Sequence, residues 1–343
     1  MMLFIMAWVI NVASDKLGDV LHVLGLKLNI PNSVRGATFD AIASSFPEFS
    51  TAMVAVLVYK QFSDVGVPTI AGSGIFNILL IPMVSIFAYK GSSLLKANKS
   101  GVYRDMFFYS ISILVLIVTT YMGKFTPISG VILLLVYVGY ITTLYFQTKK
   151  HRASQTLGEE ISDMADVVHE LAEDDDEDFM DMRYGKIFGV IAISMVFLWI
   201  SCDAIVQSAL VIAETLNIPM LIVSVVILAA CTSIPDTLLS VKSARIGDAD
   251  GAVSNAVGSN IFDICICLGV PMLIAGEEIP INFGENIVIF AFLLLSMFTT
   301  ALLLLKKDGV HKKDALIMAF VYLLFIGYVI GVATNLIPLN ILQ

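Results

Sequence analysis

Charged residues are scarce in this chain of 343 residues. Asp, Glu, Lys and Arg make up 14% of it, against roughly 25% in soluble domains, while 58% is hydrophobic and the mean hydropathy is +0.89. That balance excludes a soluble globular domain and indicates an integral membrane protein. The N-terminal stretch MMLFIMAWVINVASDK lacks the basic leader of a signal peptide and runs straight into charge, so it reads as part of a first membrane helix. Cysteine is also sparse: Cys202, Cys231, Cys265 and Cys267 all fall in apolar segments, where a free thiol serves as a small apolar side chain. The C-x-C at 265 and 267 has no second pair or histidine nearby to complete a zinc site.

What the chain has in abundance is apolar runs long enough to cross a ~30 Å hydrocarbon core. They fall at 2–28, 34–59, 65–89, 105–122, 127–147, 186–214, 219–241, 252–275, 286–305 and 315–336, which predicts an all-α membrane protein of ten helices. The net charge of −9 sits in one place. Residues 148–184 hold twelve carboxylates against Lys149, Lys150, Arg152 and Arg183, a balance of −8, which leaves −1 for the rest. The run EDDDED is expected to stay solvated and unstructured, and ISDMADVVHELAE before it to form a short amphipathic helix. Odd-numbered connections carry Lys90, Lys96, Lys99, Arg104, Lys149, Lys150, Arg152, Arg183, Lys186, Lys242, Arg245, Lys306, Lys307, Lys312 and Lys313, whereas even-numbered ones carry only Lys60 and Lys124. The excess of positive charge on the cytoplasmic side predicts that both termini lie outside and the acidic loop inside.

The tetrapeptide LNIP occurs at 28–31 and again 188 residues later at 216–219. The same offset lays Asp15 on Asp203, Ala41 on Ala229, Ser44 on Thr232, Ser45 on Ser233, Pro47 on Pro235 and Glu48 on Asp236. An offset of 186 lays AGSGIFNI (71–78) over VGSNIFDI (257–264). The chain therefore divides into a first repeat at 1–147, the acidic loop at 148–184 and a second repeat at 185–343. Five helices per repeat is an odd number, so the second repeat enters the membrane from the opposite side, the inverted-topology arrangement of secondary transporters.

Two matched stretches carry the chemistry, AIASSFPEF (41–49) and AACTSIPDT (229–237). Proline lacks an N–H and collides with the carbonyl four residues back, so each helix is expected to kink and to free the oxygens of Ala43 and Cys231. Hydroxyls of Ser44, Ser45, Thr232 and Ser233 lie beside the break, and the carboxylates of Glu48 and Asp236 follow at once. A charged carboxylate at membrane depth costs at least ~2.5 kcal/mol, and no Lys or Arg recurs at this depth. A bound cation or protons must relieve that cost. Ser73 with Asn77, and Ser259 with Asp263, each put a hydroxyl and an amide or acid on one helix face. Oxygen-only ligands suit Ca²⁺ and Na⁺ better than transition metals. The neighbouring glycines are assigned to close helix packing.

These motifs, SSFPEF with GSGIFNI and TSIPDT with SNAVGSNIFDI, resemble the two alpha-repeats of the sodium/calcium exchanger branch of the calcium:cation antiporter superfamily. The alpha-repeats cover about 36–89 and 224–275, and the wider likeness reaches 15–89 and 203–275. The resemblance implies a secondary antiporter, not an enzyme, with Glu48 and Asp236 as central Ca²⁺ ligands. It implies that Ser44, Ser45, Thr232 and Ser233 share Na⁺ and Ca²⁺, that Ser73, Asn77, Ser259 and Asp263 complete the Na⁺ sites, and that the carbonyls of Ala41 and Ala229 contribute. SDKLGDV (14–20) and CDAIVQS (202–208) look like the family's sliding gating helices. The aspartates of TSIPD and SNIFD are most similar to the potassium-dependent exchangers, which makes K⁺ a candidate co-ion; potassium-independent prokaryotic relatives carry the second aspartate too. Asp40 departs from the family pattern, which is apolar there, and either lines the ion path or faces a cytoplasmic vestibule.

The expected partners are the lipid bilayer, Ca²⁺ and Na⁺, with K⁺ as a candidate; no resident cofactor and no nucleic acid is expected. The alternative within the superfamily is a proton/calcium exchanger, which typically has an Asn-Ala-Pro-Glu signature in place of Ser-Ser-Phe-Pro-Glu. From another class, an intramembrane aspartyl protease needs two membrane acids, but its Gly-x-Gly-Asp context is missing. RIGDADG (245–251) fails as a calcium-binding EF-hand loop because, counting from Asp248, the sixth position is Val253 and the twelfth Ser259. A passive channel gains little from paired acids on kinked, inverted helices.

Overall fold

A computed structural model describes residues 2–28, 38–39, 41–89, 98–154, 183–247 and 249–340. Most of the acidic loop, most of the first LNIP and Asp40 lie outside the described residues, and with them the expectations made for the loop and for Asp40. The described residues are helical almost throughout. In order come α1 (Met2–Lys27), α2 (Ala41–Leu57), α3 (Phe62–Ala88), α4 (Lys99–Tyr121), α5 (Pro127–Ser154), α6 (Tyr184–Leu216), α7 (Met220–Thr232) and α8 (Ile234–Ile246). α9 (Ala249–Phe262) continues through a π-helical turn at Asp263–Leu268 into Gly269–Ala275, and α10 (Phe283–Leu304) and α11 (Lys312–Ala333) complete the series. The only described strands are β1 (Lys124–Phe125) and β2 (Ile279–Pro280), paired antiparallel.

Among the described residues seven helices are long and apolar enough to cross a membrane, or eight if α7 and α8 form one bent span. The expected ten crossings exceed that number at two helices. α1 carries Asp15, Lys16 and Asp19 in its middle, and α2 is short, at 17 residues. Both are nonetheless built into the body of the protein, α1 along α6 and α2 between α6 and α9.

Connections that share a side in the sequence-based topology also meet in space. Ser63 at the start of α3 donates to the Pro280 carbonyl, β1 pairs with β2, and the Ile281 N–H donates to Gly123 O at 3.1 Å. At the other end Arg104 of α4 donates to Gln147 Oε1 of α5 at 3.0 Å. The start of α7 packs against the first turn of α3, which is where the chain leaves α2. The first half of the kinked segment in one repeat thus lies beside the exit from the other, as inverted repeats require.

Lipid-facing helices gain nothing from hiding apolar side chains from one another, so close approach and hydrogen bonds hold them together. Gly72 of α3 permits one such approach: a Cβ there would sit 2.0 Å from the Val225 carbonyl oxygen of α7. Gly130 of α5 permits another, because a Cβ would stand 2.6 Å from the Gly269 carbonyl. Assigning the motif glycines to packing holds for Gly72 and Gly74 but not for Gly258, where the nearest atom, Tyr140 Oη, would be 3.6 Å away.

Candidate ion-binding site

α2 carries Ala41, Ser44, Ser45 and Glu48 at positions i, i+3, i+4 and i+7, so the four share one face. All are buried. Pro47 does not break this helix, which runs unbroken from Ala41 to Leu57. In the second repeat the segment does break: α7 ends at Thr232 and α8 departs at 44°. In that segment the Thr232 hydroxyl donates to Leu228 O at 3.1 Å and Ala229 O at 3.2 Å. Such back-bonding competes with the helix ladder and bends it. The break places Asp236 in the first turn of α8, where the positive end of the helix dipole favours a carboxylate.

The four motifs converge. Glu48 from α2, Asp236 from α8 and Asp263 from α9 are fully buried, and a carboxylate oxygen from each lies within 4.8 Å of the others. No Lys, Arg or His pairs with any of them among the described residues. Ser73 of α3 stands in the middle: its Oγ is 3.3 Å from Glu48 Oε1, 3.4 Å from Asp263 Oδ2 and 2.7 Å from Ser233 Oγ. Ser233 Oγ in turn donates to Glu48 Oε1 at 3.2 Å. Asn77 Nδ2 donates to Asp236 Oδ2 at 3.2 Å and reaches Ser73 Oγ at 3.3 Å. Ser259 Oγ donates to Asp236 Oδ1 at 2.7 Å.

Three like charges this close, shut away from water, repel one another and have lost their hydration. Three hydroxyls and an amide soften the problem without solving it: Glu48 Oε2 and Asn77 Oδ1 are buried and accept no hydrogen bond. A donor set of carboxylate, hydroxyl and amide oxygens, with lone pairs to spare, is what a hard cation coordinates.

The sequence reading paired Glu48 with Asp236 and put Asp263 among the Na⁺ ligands; the structure brings all three carboxylates into one cluster. Ala41 and Ala229 are buried beside it, but the Ala229 carbonyl already accepts from the Ser233 N–H at 3.1 Å as well as from Thr232. Several contributors were not singled out in the sequence. Asn255 Nδ2 donates to the Asp236 carbonyl at 3.1 Å and to Ser240 Oγ at 2.8 Å, which anchors α8 to α9. Asn260 Nδ2 donates to Gly74 O at 3.0 Å and to Tyr109 Oη at 3.1 Å, which fixes α9 to α3 and α4. Cys267, read as apolar, lies 3.7 Å from Asp263 Oδ1 and 3.8 Å from the Ser45 carbonyl. Its spacing of four from Asp263 was the available signal. On the far side of α2, Cys202 Sγ approaches the Pro47 carbonyl at 3.4 Å and Tyr59 donates to Asp203 at 3.0 Å, so α6 is tied to the helix that bears Glu48.

The sodium/calcium exchanger protein family matches residues 1–146 and 186–331, both repeats and nothing of the acidic loop. The chain belongs to that family. Human sodium/potassium/calcium exchanger 5 is 28% identical over 331 residues, a match covering 74% of this chain and 65% of the human protein. The inner membrane protein YrbG of Escherichia coli is 26% identical over 305 residues, covering 86% of this chain and 85% of that protein. The fold matches the sodium-calcium exchanger NCX_Mj soaked with 2.5 mM Na⁺ and 0.1 mM Ca²⁺, with a TM-score of 0.61 at 20% identity over 94% of this chain and 96% of that one. Membership spans both halves, Glu48 lying in the first matched stretch and Asp236 and Asp263 in the second.

Proposed function

We propose that this exchanger-family chain is an antiporter that uses the Na⁺ gradient to move Ca²⁺ by alternating access, with K⁺ as a co-ion. The observation that carries the reading is the buried trio of Glu48, Asp236 and Asp263, drawn from both repeats and lacking a basic partner. Ca²⁺ or several Na⁺ ions compensate the same carboxylates, so the two must compete for them. A site filled by either ion is close to neutral and can be carried between faces. An empty one holds uncompensated charge and stays where water reaches it. Ser44, Ser45, Ser73, Asn77, Thr232, Ser233 and Ser259 supply neutral oxygens around the carboxylates. Asp263, where the first repeat has the neutral Asn77, supports the K⁺ assignment. The distribution of Lys and Arg supports both termini outside and the acidic loop in the cytoplasm.

Ca²⁺ uptake into proteoliposomes under an outward Na⁺ gradient, with and without K⁺, tests the proposal. Glu48→Gln and Asp236→Asn should each abolish uptake; unchanged flux in both would sink the reading. No K⁺ effect in the wild type removes the co-ion. Uptake driven by a pH gradient with Na⁺ absent would favour the proton/calcium exchanger instead.

A further inference from the structure

We propose that the ion site has a soft corner, in which Cys267 joins Asp263 and the Ser45 carbonyl to bind a thiophilic divalent cation of the Cd²⁺ class. The inference rests on reading Glu48, Asp236 and Asp263 as the ion site, and it concerns a ligand that the oxygen-only description omits.

Cys267 lies one turn beyond Asp263 on α9 and is fully buried, on the face that Ser259 and Asp263 also occupy. Its Sγ is 3.7 Å from Asp263 Oδ1 and 3.8 Å from Ser45 O. A metal with a bond of about 2.3 Å to sulfur and about 2.1 Å to oxygen, at a tetrahedral angle, holds those two atoms about 3.6 Å apart. Both separations match that value, and the slightly longer bonds of Cd²⁺ fit at narrower angles. An ion held by the thiol can therefore reach the carboxylate or the carbonyl at ordinary bond lengths. The remaining coordination is at hand, because Glu48 Oε2, in the same carboxylate cluster, is buried and accepts no hydrogen bond. The other buried cysteines point elsewhere: Cys265 Sγ meets Ser112 Oγ at 3.1 Å and Cys202 Sγ meets the Pro47 carbonyl at 3.4 Å.

Sulfur discriminates between cations in a way oxygen does not. Hard Ca²⁺ and Na⁺ gain little from a thiol, whereas a soft divalent ion gains a strong bond. As the sulfur–metal bond forms, the S–H proton passes to water; nothing is oxidised or reduced. Cd²⁺ should then occupy the Ca²⁺ position, displace Ca²⁺ and leave slowly, acting as a blocker whose potency depends on Cys267.

The test uses the full chain purified in detergent, with CdCl₂ as the probe. Two quantities are read, the ultraviolet sulfur-to-cadmium charge-transfer band and the Cd²⁺ concentration that displaces radiolabelled Ca²⁺, each scaled to the Ca²⁺ affinity of the same variant. Wild type and Cys265→Ala should show the band. Cys267→Ser and Cys267→Ala should lose it, and their relative Cd²⁺ potency should fall about 10–100-fold, at least the loss seen when a supporting group of a metal site is removed. A band in a wild type that binds no Ca²⁺ would uphold the soft corner and sink the exchanger reading. A band that survives both Cys267 substitutions, or Cd²⁺ displacing Ca²⁺ equally well in all four proteins, would overturn the proposal.

Discussion

α2 runs unbroken through Pro47, whereas its counterpart stops at Thr232 and turns by 44° before Pro235. Around the carboxylates, by contrast, the repeats nearly mirror each other. Ser73 donates to Glu48 as Ser259 donates to Asp236, at 3.3 and 2.7 Å. Asn77 reaches across to Asp236 at 3.2 Å, and the mirrored reach would be from Asp263 to Glu48. That contact joins two carboxylates, so it closes only around a cation or a proton. Asp236, the acid of the second repeat, faces the neutral donor Asn77; Glu48, the acid of the first, faces a third charge, Asp263. Inverted duplication therefore supplies the frame of the site, and one departure from symmetry sets how much positive charge the site demands.

The widest break in that comparison comes from changing the Asn77/Asp263 pair. Asn77→Asp removes the donor to Asp236 and adds a fourth buried carboxylate, so the ion-free protein should lose about 3–5 kcal/mol, the usual cost of an uncompensated buried charge. Asp263→Asn should do the opposite, raising the melting temperature in ion-free buffer and shrinking the rise that Ca²⁺ produces. Thermal denaturation in detergent, in choline buffer with and without CaCl₂, reads both. An Asn77→Asp protein that melts like wild type without ions would mean that the carboxylates do not repel as their spacing implies.

This asymmetry shows where sequence reading succeeds and where it stops. Offsets of 188 and 186 residues paired Glu48 with Asp236 and Asn77 with Asp263, because duplication leaves a register that survives substitution. Inversion followed from an odd number of helices. The convergence of Asp263 with both other acids is a three-dimensional fact, since offsets relate a residue to its twin and not to its neighbour. A kink was expected in both repeats, and a break is present only in the second. Pro47 and Pro235 look alike in sequence, yet α2 runs on through the first while the chain turns ahead of the second. Cys267 was passed over because a lone thiol in an apolar run is usually packing.

A second contrast concerns the glycines. Gly72 and Gly258 are equivalents at the 186 offset, yet only Gly72 touches backbone. Gly72→Ala would place a methyl 2.0 Å from the Val225 carbonyl oxygen, which has no flexible end to move aside. A loss of about 3 kcal/mol is expected, at the upper end of overpacking effects, because α3 and α7 must separate. Gly258→Ala meets nothing nearer than Tyr140 Oη at 3.6 Å and should gain about 0.5–1 kcal/mol from the helix preference of alanine. Melting temperatures of the two variants should move in opposite directions. Equal destabilisation would mean that α9 is packed as tightly as α3.

The smallest expected effect bears on the break itself. Pro235 stands in the first turn of α8, where the N–H it lacks has no acceptor within the helix, so alanine there neither restores a bond nor removes a clash. The chain has already turned at Ser233, whose ψ of 4° lies outside the helical range and whose N–H still bonds to the Ala229 carbonyl at 3.1 Å. Pro235→Ala should therefore change stability by less than about 1 kcal/mol, mostly through the freedom of the unfolded chain, and should leave the bend in place. Pro47 lies inside a continuous helix, where proline costs about 3 kcal/mol relative to alanine, so Pro47→Ala should stabilise the protein by more. Spin labels on either side of Ser233, with distances read by pulsed electron resonance, separate the two accounts. Unchanged distances in Pro235→Ala assign the bend to Thr232 and Ser233; a straightened segment would return it to the proline.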